Sequence, residues 1–287
     1  MELLLHPQTR SSYTRALGGN GQAWLILGPL NSGKSTVGLS FISDLLGTDV
    51  DQLQNNPYFM HIVDVKDAIG IEEIRNIHTF LQLKTVGLSK TFNRAILIEN
   101  IHFMTIPAQN ALLKTLEEPP VGTAIVLTGI RSNNILTTIY SRTKHIDIFN
   151  PNHKDSAEYF DKVYDKDFDK TYNISGGSVG LMSDLLNQGS NHPLFEQLQL
   201  AKTLLTIPTY DKLLQRDTLA VDKEFFKSVV FVLVQISKSA LLSASAKGNK
   251  KDISRWLRIL KISSQTSSRL ENSPNLKLLA TDLLLNL

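Results

Sequence analysis

The chain has 287 residues, 42% of them hydrophobic, which is enough for two or three small domains with packed cores. Thirty Lys and Arg stand against 27 Asp and Glu, and the net charge of +3 is too balanced to hold nucleic acid by bulk charge, so any DNA contact must come from a local patch or a shared assembly. The absence of cysteine excludes disulfides, thiolate metal sites and thiol nucleophiles, and a cytoplasmic address is the simplest reading.

Residues 1–10 lack the basic start and long apolar stretch of a secretory signal. From there to residue 149, short apolar runs at 23–27, 59–65, 95–98, 124–127 and 145–149 alternate with amphipathic stretches at 34–46, 71–84 and 106–117. That alternation predicts an α/β domain with a mainly parallel sheet. Thr105 is the expected N-cap of the helix at 106–117, Pro107 sits in its first turn, and Pro119-Pro120 stops it. After Asn150-Pro151 a polar, Asp- and Lys-rich stretch leads to a turn at Gly176-Gly177, and a small helical domain is expected to end near Asn187. Residues 188–193 have linker composition. Beyond them the spacing of Phe226, Val229, Val230 and Leu233, of Ile253, Trp256, Leu257 and Leu260, and of Leu276, Leu279 and Leu283 predicts an all-helical unit with a loop at 246–251. The most apolar run, 225–234, includes Lys227 and reaches only half of the ~20 residues a membrane crossing needs, so it reads as a core helix. The expected domains are 1–150, 151–187 and 188–287.

Gly28-Pro29-Leu30-Asn31-Ser32-Gly33-Lys34-Ser35, followed by Thr36, fits G-x-x-x-x-G-K-S/T and lies between an apolar strand and a helix, where a phosphate-binding loop must lie. Backbone N–H groups and the positive end of the helix can hold a polyphosphate, Lys34 can reach its outer phosphates, and the Ser35 hydroxyl can ligate magnesium. A loop kept only for its shape is the competing reading. In a hydrolysing enzyme of this kind a later strand ends in two acidic residues, one assisting the metal and one orienting the attacking water. Here the strand ends Ile98-Glu99-Asn100. Glu99 can assist the metal or be a solvated strand-end carboxylate, whereas Asn100 can hold a water but cannot take its proton. Binding of ATP or ADP with Mg2+ and slow or no hydrolysis are therefore expected.

The run 104–120, with Asn110-Ala111-Leu112-Leu113-Lys114-Thr115-Leu116-Glu117-Glu118-Pro119-Pro120 at its centre, closely resembles the stretch shared by the gamma and delta-prime subunits of bacterial sliding-clamp loaders. Glu73-Ile74-Arg75 resembles the same family's Ile-Arg helix, Asn56-Pro57 lies near its usual His-Pro, and Thr138-Ile139-Tyr140-Ser141-Arg142-Thr143 looks like its T-I-x-S-R-C segment. The likeness runs from about residue 24 to residue 186. It implies an AAA+ core, a small helical lid and a helical collar domain of a subunit of the DNA polymerase III holoenzyme. It also implies that Arg142 projects into a neighbour's ATP site, where a permanently charged guanidinium stabilises the transferring phosphate. A surface arginine paired with a local carboxylate is the alternative.

Departures from the family pattern narrow the expectation. Thr143 replaces Cys, and residues 46–59 are too few for the family's four-cysteine module, so no zinc is expected. Gly176-Gly177-Ser178-Val179-Gly180 resembles the opening of the lid helix but lacks the arginine of gamma-type motors, and Gly129 and Ile130 stand at their threonine positions. This profile resembles delta-prime, a stator that completes a partner's active site, working with gamma/tau- and delta-type subunits, the sliding clamp and primed DNA, and with no membrane. A gamma-type motor, a stand-alone P-loop NTPase or kinase, and a structural subunit with an unused loop remain open at this point. Lys114 and Gln109 read as a solvated helix face, and the seven histidines show no metal-ligand spacing, His102 following a strand as in the gamma-type Asp-Glu-x-His segment.

Overall fold

The computed structural model describes residues 3–63, 68–83, 91–131, 134–160, 168–272 and 275–287. The chain forms two compact units, Met1–Tyr159 with Ser178–Leu181, and Phe160–Gly177 with Met182–Leu287.

In the first unit, β1 (Ala23–Leu27), β2 (Phe59–Ile62), β3 (Arg94–Ile98), β4 (Thr123–Gly129) and β5 (Lys144–Asp147) make one sheet in the order β2-β3-β4-β1-β5. Every pairing is parallel. The helices are α1 (Pro7–Leu17), α2 (Lys34–Leu46), α3 (Val50–Leu53), α4 (Ile71–Leu81), α5 (Ile106–Glu117), α6 (Thr137–Arg142) and α7 (His153–Phe160). β1, β3 and β4 are buried along their whole length, as strands covered on both faces must be, and so they read in the sequence as continuous apolar runs. Alternate residues feed two cores. Leu25, Leu27, Ile96, Ile98 and Leu127 join Ile74, Leu112 and Ile139 of α4, α5 and α6. Trp24, Ile26, Leu97 and Val126 join Tyr13 of α1 and Val37, Phe41 and Ile42 of α2. The sheet is thus wrapped by helices on both sides, and its strand ends converge on the loop after β1.

The expected β1, α2 and α5 coincide with the observed elements. The second strand and the helix expected to end at residues 65 and 84 close at Ile62 and Leu81, and residues 65 and 84 lie outside the described residues. β5 stops at Asp147 rather than residue 149, because the backbone N–H of Phe149 donates to the Thr9 hydroxyl, 3.0 Å away, instead of extending the ladder. That hydroxyl donates in turn to the Asp147 carbonyl at 2.9 Å, tying α1 to the sheet edge. Helix α1 gave little sign of itself in the sequence, since it buries only Thr9, Tyr13 and Ala16. Arg94, buried at the start of β3, caps α4 by donating to the carbonyls of Phe80 at 3.1 Å, Leu81 and Leu83, where a cation offsets the helix's negative end.

One expected surface residue is internal. Gln109 belongs to no solvated face: it is fully buried, its amide donates to the carbonyls of Met104 at 3.0 Å and Asn134 at 2.6 Å, and its oxygen accepts from the N–H of Leu136 at 2.9 Å. Three bonds to backbone carry the amide into the interior and knit α5 to the start of α6. Lys114, five residues on along α5, is exposed as expected.

The described residues of the second unit are built from helices: α8 (Phe168–Ser175), α9 (Val179–Gln188, its first residues belonging to the first unit), α10 (Leu194–Leu204), α11 (Thr209–Leu214), α12 (Arg216–Leu219), α13 (Lys223–Ala246), α14 (Lys250–Asn272) and α15 (Leu276–Asn286). Part of the Asp- and Lys-rich stretch before α8, residues 161–167, lies outside the described residues. Residues 189–191 of the expected linker form a 3-10 turn. By length and composition α13 could cross a bilayer, but it packs against α8, α10 and α14 and buries Phe226, Val229, Val230 and Leu233, which makes it the core helix of this unit.

Candidate functional site

The phosphate loop leaves β1 in the interior of the sheet, between β4 and β5. Its first glycine is forced by close approach: a Cβ on Gly28 would lie 2.8 Å from Ser32 Oγ and 2.9 Å from Ile148 Cβ. Asn31 and Gly33 take left-handed conformations, with φ of +57° and +80°, which turn the chain into α2. Pro29, Leu30 and Asn31 are exposed at the top of the loop, whereas Ser32 and Lys34 are buried and Ser35 is half-buried; Thr36 is on the outer side of α2.

The buried ammonium of Lys34 donates to the Pro29 carbonyl inside its own loop. Burial pushes its pKa down to about 8, the negative charge of Glu99 opposing that shift. Glu99, at the end of β3, is buried rather than solvated, so the strand-end alternative for it falls. One carboxylate oxygen, Oε2, accepts the Ser35 hydroxyl, and the other, Oε1, lies 2.8 Å from His61 Nε2 at the end of β2. Burial would raise the Glu99 carboxyl, but the hydrogen bonds of His61 and Ser35 and the charges of His61 and Lys34 outweigh it, and the group is held ionised below the usual carboxylate range.

These residues fit a nucleotide with its cation. Ser32 Oγ is buried with no hydrogen-bond partner among the described residues, a lysine sits in the loop, and a hydroxyl and an ionised carboxylate meet beside it. Lys34 and the loop would hold the phosphates, and Ser35 and Glu99 the Mg2+.

Asn100 follows with φ +53°, and its backbone N–H donates to the Thr128 hydroxyl of β4 at 3.1 Å. This left-handed position, which Asn tolerates, carries an amide and no carboxylate. From the start of α9, the Ser178 hydroxyl donates to the Asn31 carbonyl at 2.5 Å, and a Cβ on Gly180 would lie 2.6 Å from the same oxygen. The segment that lacks an arginine therefore abuts the loop directly.

Arg142 lies apart from this cluster, at the last position of α6. Its Nε donates to Glu117 Oε1 at 2.6 Å and its Nη1 to the Thr138 carbonyl at 3.0 Å, with about a third of the side chain exposed. Glu117 is the first glutamate of the Glu-Glu-Pro-Pro motif and the last residue of α5. Sequence spacing revealed neither this pair nor the roles of His61, Thr128 and Ser178, whose partners lie 25 to 147 residues away.

Residues 15–152, which hold every one of these groups except Ser178 and Gly180, match the family described as DNA polymerase III, delta subunit. Over that stretch, just under half of its length, the chain is similar to clamp-loader subunits. Over 91 residues it is 32% identical to the DNA polymerase III subunit delta' of Haemophilus influenzae, covering 32% of this chain and 27% of that protein. Over 85 residues it is 35% identical to subunit tau of Bacillus subtilis, covering 30% of this chain and 15% of that one. The alignments thus span less than a third of either relative's length. The family fold extends further than these identities. A DNA polymerase III gamma subunit-related protein from Thermotoga maritima superposes with a TM-score of 0.52 and 21% identity, over 96% of this chain and 97% of that one.

Proposed function

We propose that this chain is a delta-prime-like subunit of a sliding-clamp loader, which binds ATP or ADP with Mg2+, hydrolyses it slowly or not at all, and lends Arg142 to a neighbouring subunit's site. The observation that carries this reading is a contrast at one strand end. Lys34, Ser35 and Glu99 form a built binding cluster, while the next residue, Asn100, offers an amide where a hydrolysing site needs a base. Bound there, Mg2+–ATP brings the phosphoanhydride that a hydrolysing subunit would cleave. This chain's own groups neutralise and orient it, but Glu99 is turned to Ser35 and His61, and the Asn100 amide beside it cannot take a proton from water at neutral pH.

The division into an AAA+ core at 1–150, a lid at 151–187 and a collar at 188–287 belongs to this proposal, as do assembly with gamma/tau- and delta-type subunits, work on the clamp and primed DNA, and a cytoplasmic location. Support comes from the family match over residues 15–152 and from the half-buried position of Arg142 at the end of a short helix, where it is bonded to Glu117 of α5 and to the Thr138 carbonyl. A guanidinium placed so can leave its partner for a phosphate at small cost.

The test is ATP hydrolysis by a clamp loader reconstituted with clamp and primed DNA, comparing wild type with Arg142→Ala. At the site served by this subunit, single-turnover hydrolysis should fall by about 10³-fold or more, the range of an arginine acting in trans, in an assembly that still forms. Unchanged hydrolysis removes the trans role. Rapid turnover by the isolated chain would instead favour a gamma-type motor or a solitary NTPase.

A further inference from the structure

Among the described residues β2 lies at the edge of the sheet and pairs with β3 alone, in a register that matches His61 with Leu97 and Ile62 with Ile98. The ladder continues one step past both strands, since the N–H of Glu99 donates to the Ile62 carbonyl at 2.9 Å. Because side chains alternate across a sheet, residues 61, 97 and 99 share the face on which α2 packs. The fold thus brings an imidazole, 38 residues earlier in the chain, against the carboxylate that faces the phosphate loop.

The contact is not a surface ion pair. His61 and Glu99 side chains are 24% and 8% exposed, and the imidazole is braced by Phe59, ring centroids 5.7 Å apart and planes within 30°. Among the described residues each oxygen of Glu99 has one partner: Oε1 has His61 Nε2, and Oε2 has the Ser35 hydroxyl. Without the imidazole, Oε1 would be a buried acceptor left unmade, a cost of about 1–3 kcal/mol that rotation of the carboxylate would relieve. That rotation would take Oε2 away from Ser35.

We propose that His61 is a positioning residue for the divalent cation of the nucleotide: by holding Oε1 of Glu99 it keeps Oε2 turned to Ser35, so that hydroxyl and carboxylate are presented together. The inference rests on the nucleotide-binding reading above. Imidazole suits the task because it donates a hydrogen bond without the permanent charge of Lys or Arg, which would repel the cation it helps to place. Groups that orient a ligating carboxylate in this way change metal affinity by about 10–100-fold when removed.

The experiment uses the full chain as wild type, His61→Ala and His61→Gln, with a fluorescent ADP analogue and Mn2+ as the probes. Nucleotide affinity is measured first in EDTA, where Glu99 has no cation to hold, and Mn2+ binding to each protein–ADP complex is then followed by electron paramagnetic resonance. Expected are near-equal affinities in EDTA, Mn2+ bound at least ~10-fold more weakly by His61→Ala, and most of that loss recovered by His61→Gln, whose amide can donate to Oε1. Equal Mn2+ affinity in His61→Ala and wild type overturns the role. So does a loss that His61→Gln shares in full, or a loss equally large in EDTA, since either would mark damage to the loop rather than to the cation site. Wild-type protein that binds no nucleotide in either buffer would sink the underlying reading along with this one, whereas the other outcomes leave that reading standing.

Discussion

Two corners of the first unit treat their charged groups in opposite ways. Around the phosphate loop, Lys34, Ser35, Glu99 and His61 are buried or half-buried and bonded to one another or to the loop itself, so that charge is fixed in place by the chain's own atoms. At the end of α6, Arg142 is held by Glu117 and by the carbonyl of its own helix, at the surface, where solvent screens the pair. Groups that serve a ligand of the same chain can be pre-organised inside the core. A group proposed to serve a neighbour has to stay at the surface, with bonds weak enough to exchange.

The strongest way to break this comparison is to alter Asn100, the residue proposed to separate binding from hydrolysis. Asn100→Glu places a carboxylate beside the built cluster, and single-turnover hydrolysis by the isolated chain should rise by about 10²-fold, the lower range for a general base. A flat rate in a variant that still binds nucleotide would mean that the missing base is not what limits the site. The left-handed backbone there will make the variant less stable by about 1 kcal/mol, which thermal unfolding would show.

A smaller effect should follow pH. Lys34 has its pKa pushed down from 10.5 to about 8, and a bound polyphosphate, being anionic, raises it again by favouring the ammonium. Below about pH 7 the lysine is charged whether or not nucleotide is bound, and affinity should not vary through this group. As pH rises past 8 the free protein loses the proton that the complex needs, so affinity should fall towards tenfold per pH unit, with proton uptake on binding. Calorimetric titration at pH 9 in two buffers of different ionisation enthalpy checks the uptake, and no difference between the buffers would contradict the buried state of Lys34.

The smallest effect belongs to the exposed corner. Glu117→Ala removes the partner of Arg142, yet the unfolding free energy should change by less than about 1 kcal/mol, as exposed ion pairs contribute little. Denaturant unfolding measures this directly. A loss of several kcal/mol would show Arg142 to be a structural tie and would erase the contrast between the two corners.

Contiguous chemistry was legible in the sequence. Residues 28–35 announce the phosphate loop because all its parts are neighbours, and the β1, α2 and α5 boundaries follow from apolar runs and from Thr105, whose hydroxyl does accept the Ala108 N–H. β5 and α4 were misjudged at their ends, where a hydroxyl from α1 and the guanidinium of Arg94 take over backbone partners. Gln109 was misplaced because an amide on an amphipathic helix has the same polarity in water as in a buried network of carbonyls.

By itself, then, the sequence determined the α/β class, a G-x-x-x-x-G-K-S loop between a strand and a helix, the helical C-terminal region and an amide directly after Glu99. Each of these is carried by residue type and by spacing within a turn or a strand. Tertiary structure alone decided that Glu99 is gripped from both sides, that Ser178 reaches the Asn31 carbonyl and that Arg142 rests on Glu117. Such pairs join residues 25 to 147 positions apart through strand register and helix packing, and hydrogen bonds of 2.5 to 2.8 Å form only when packing has fixed both ends.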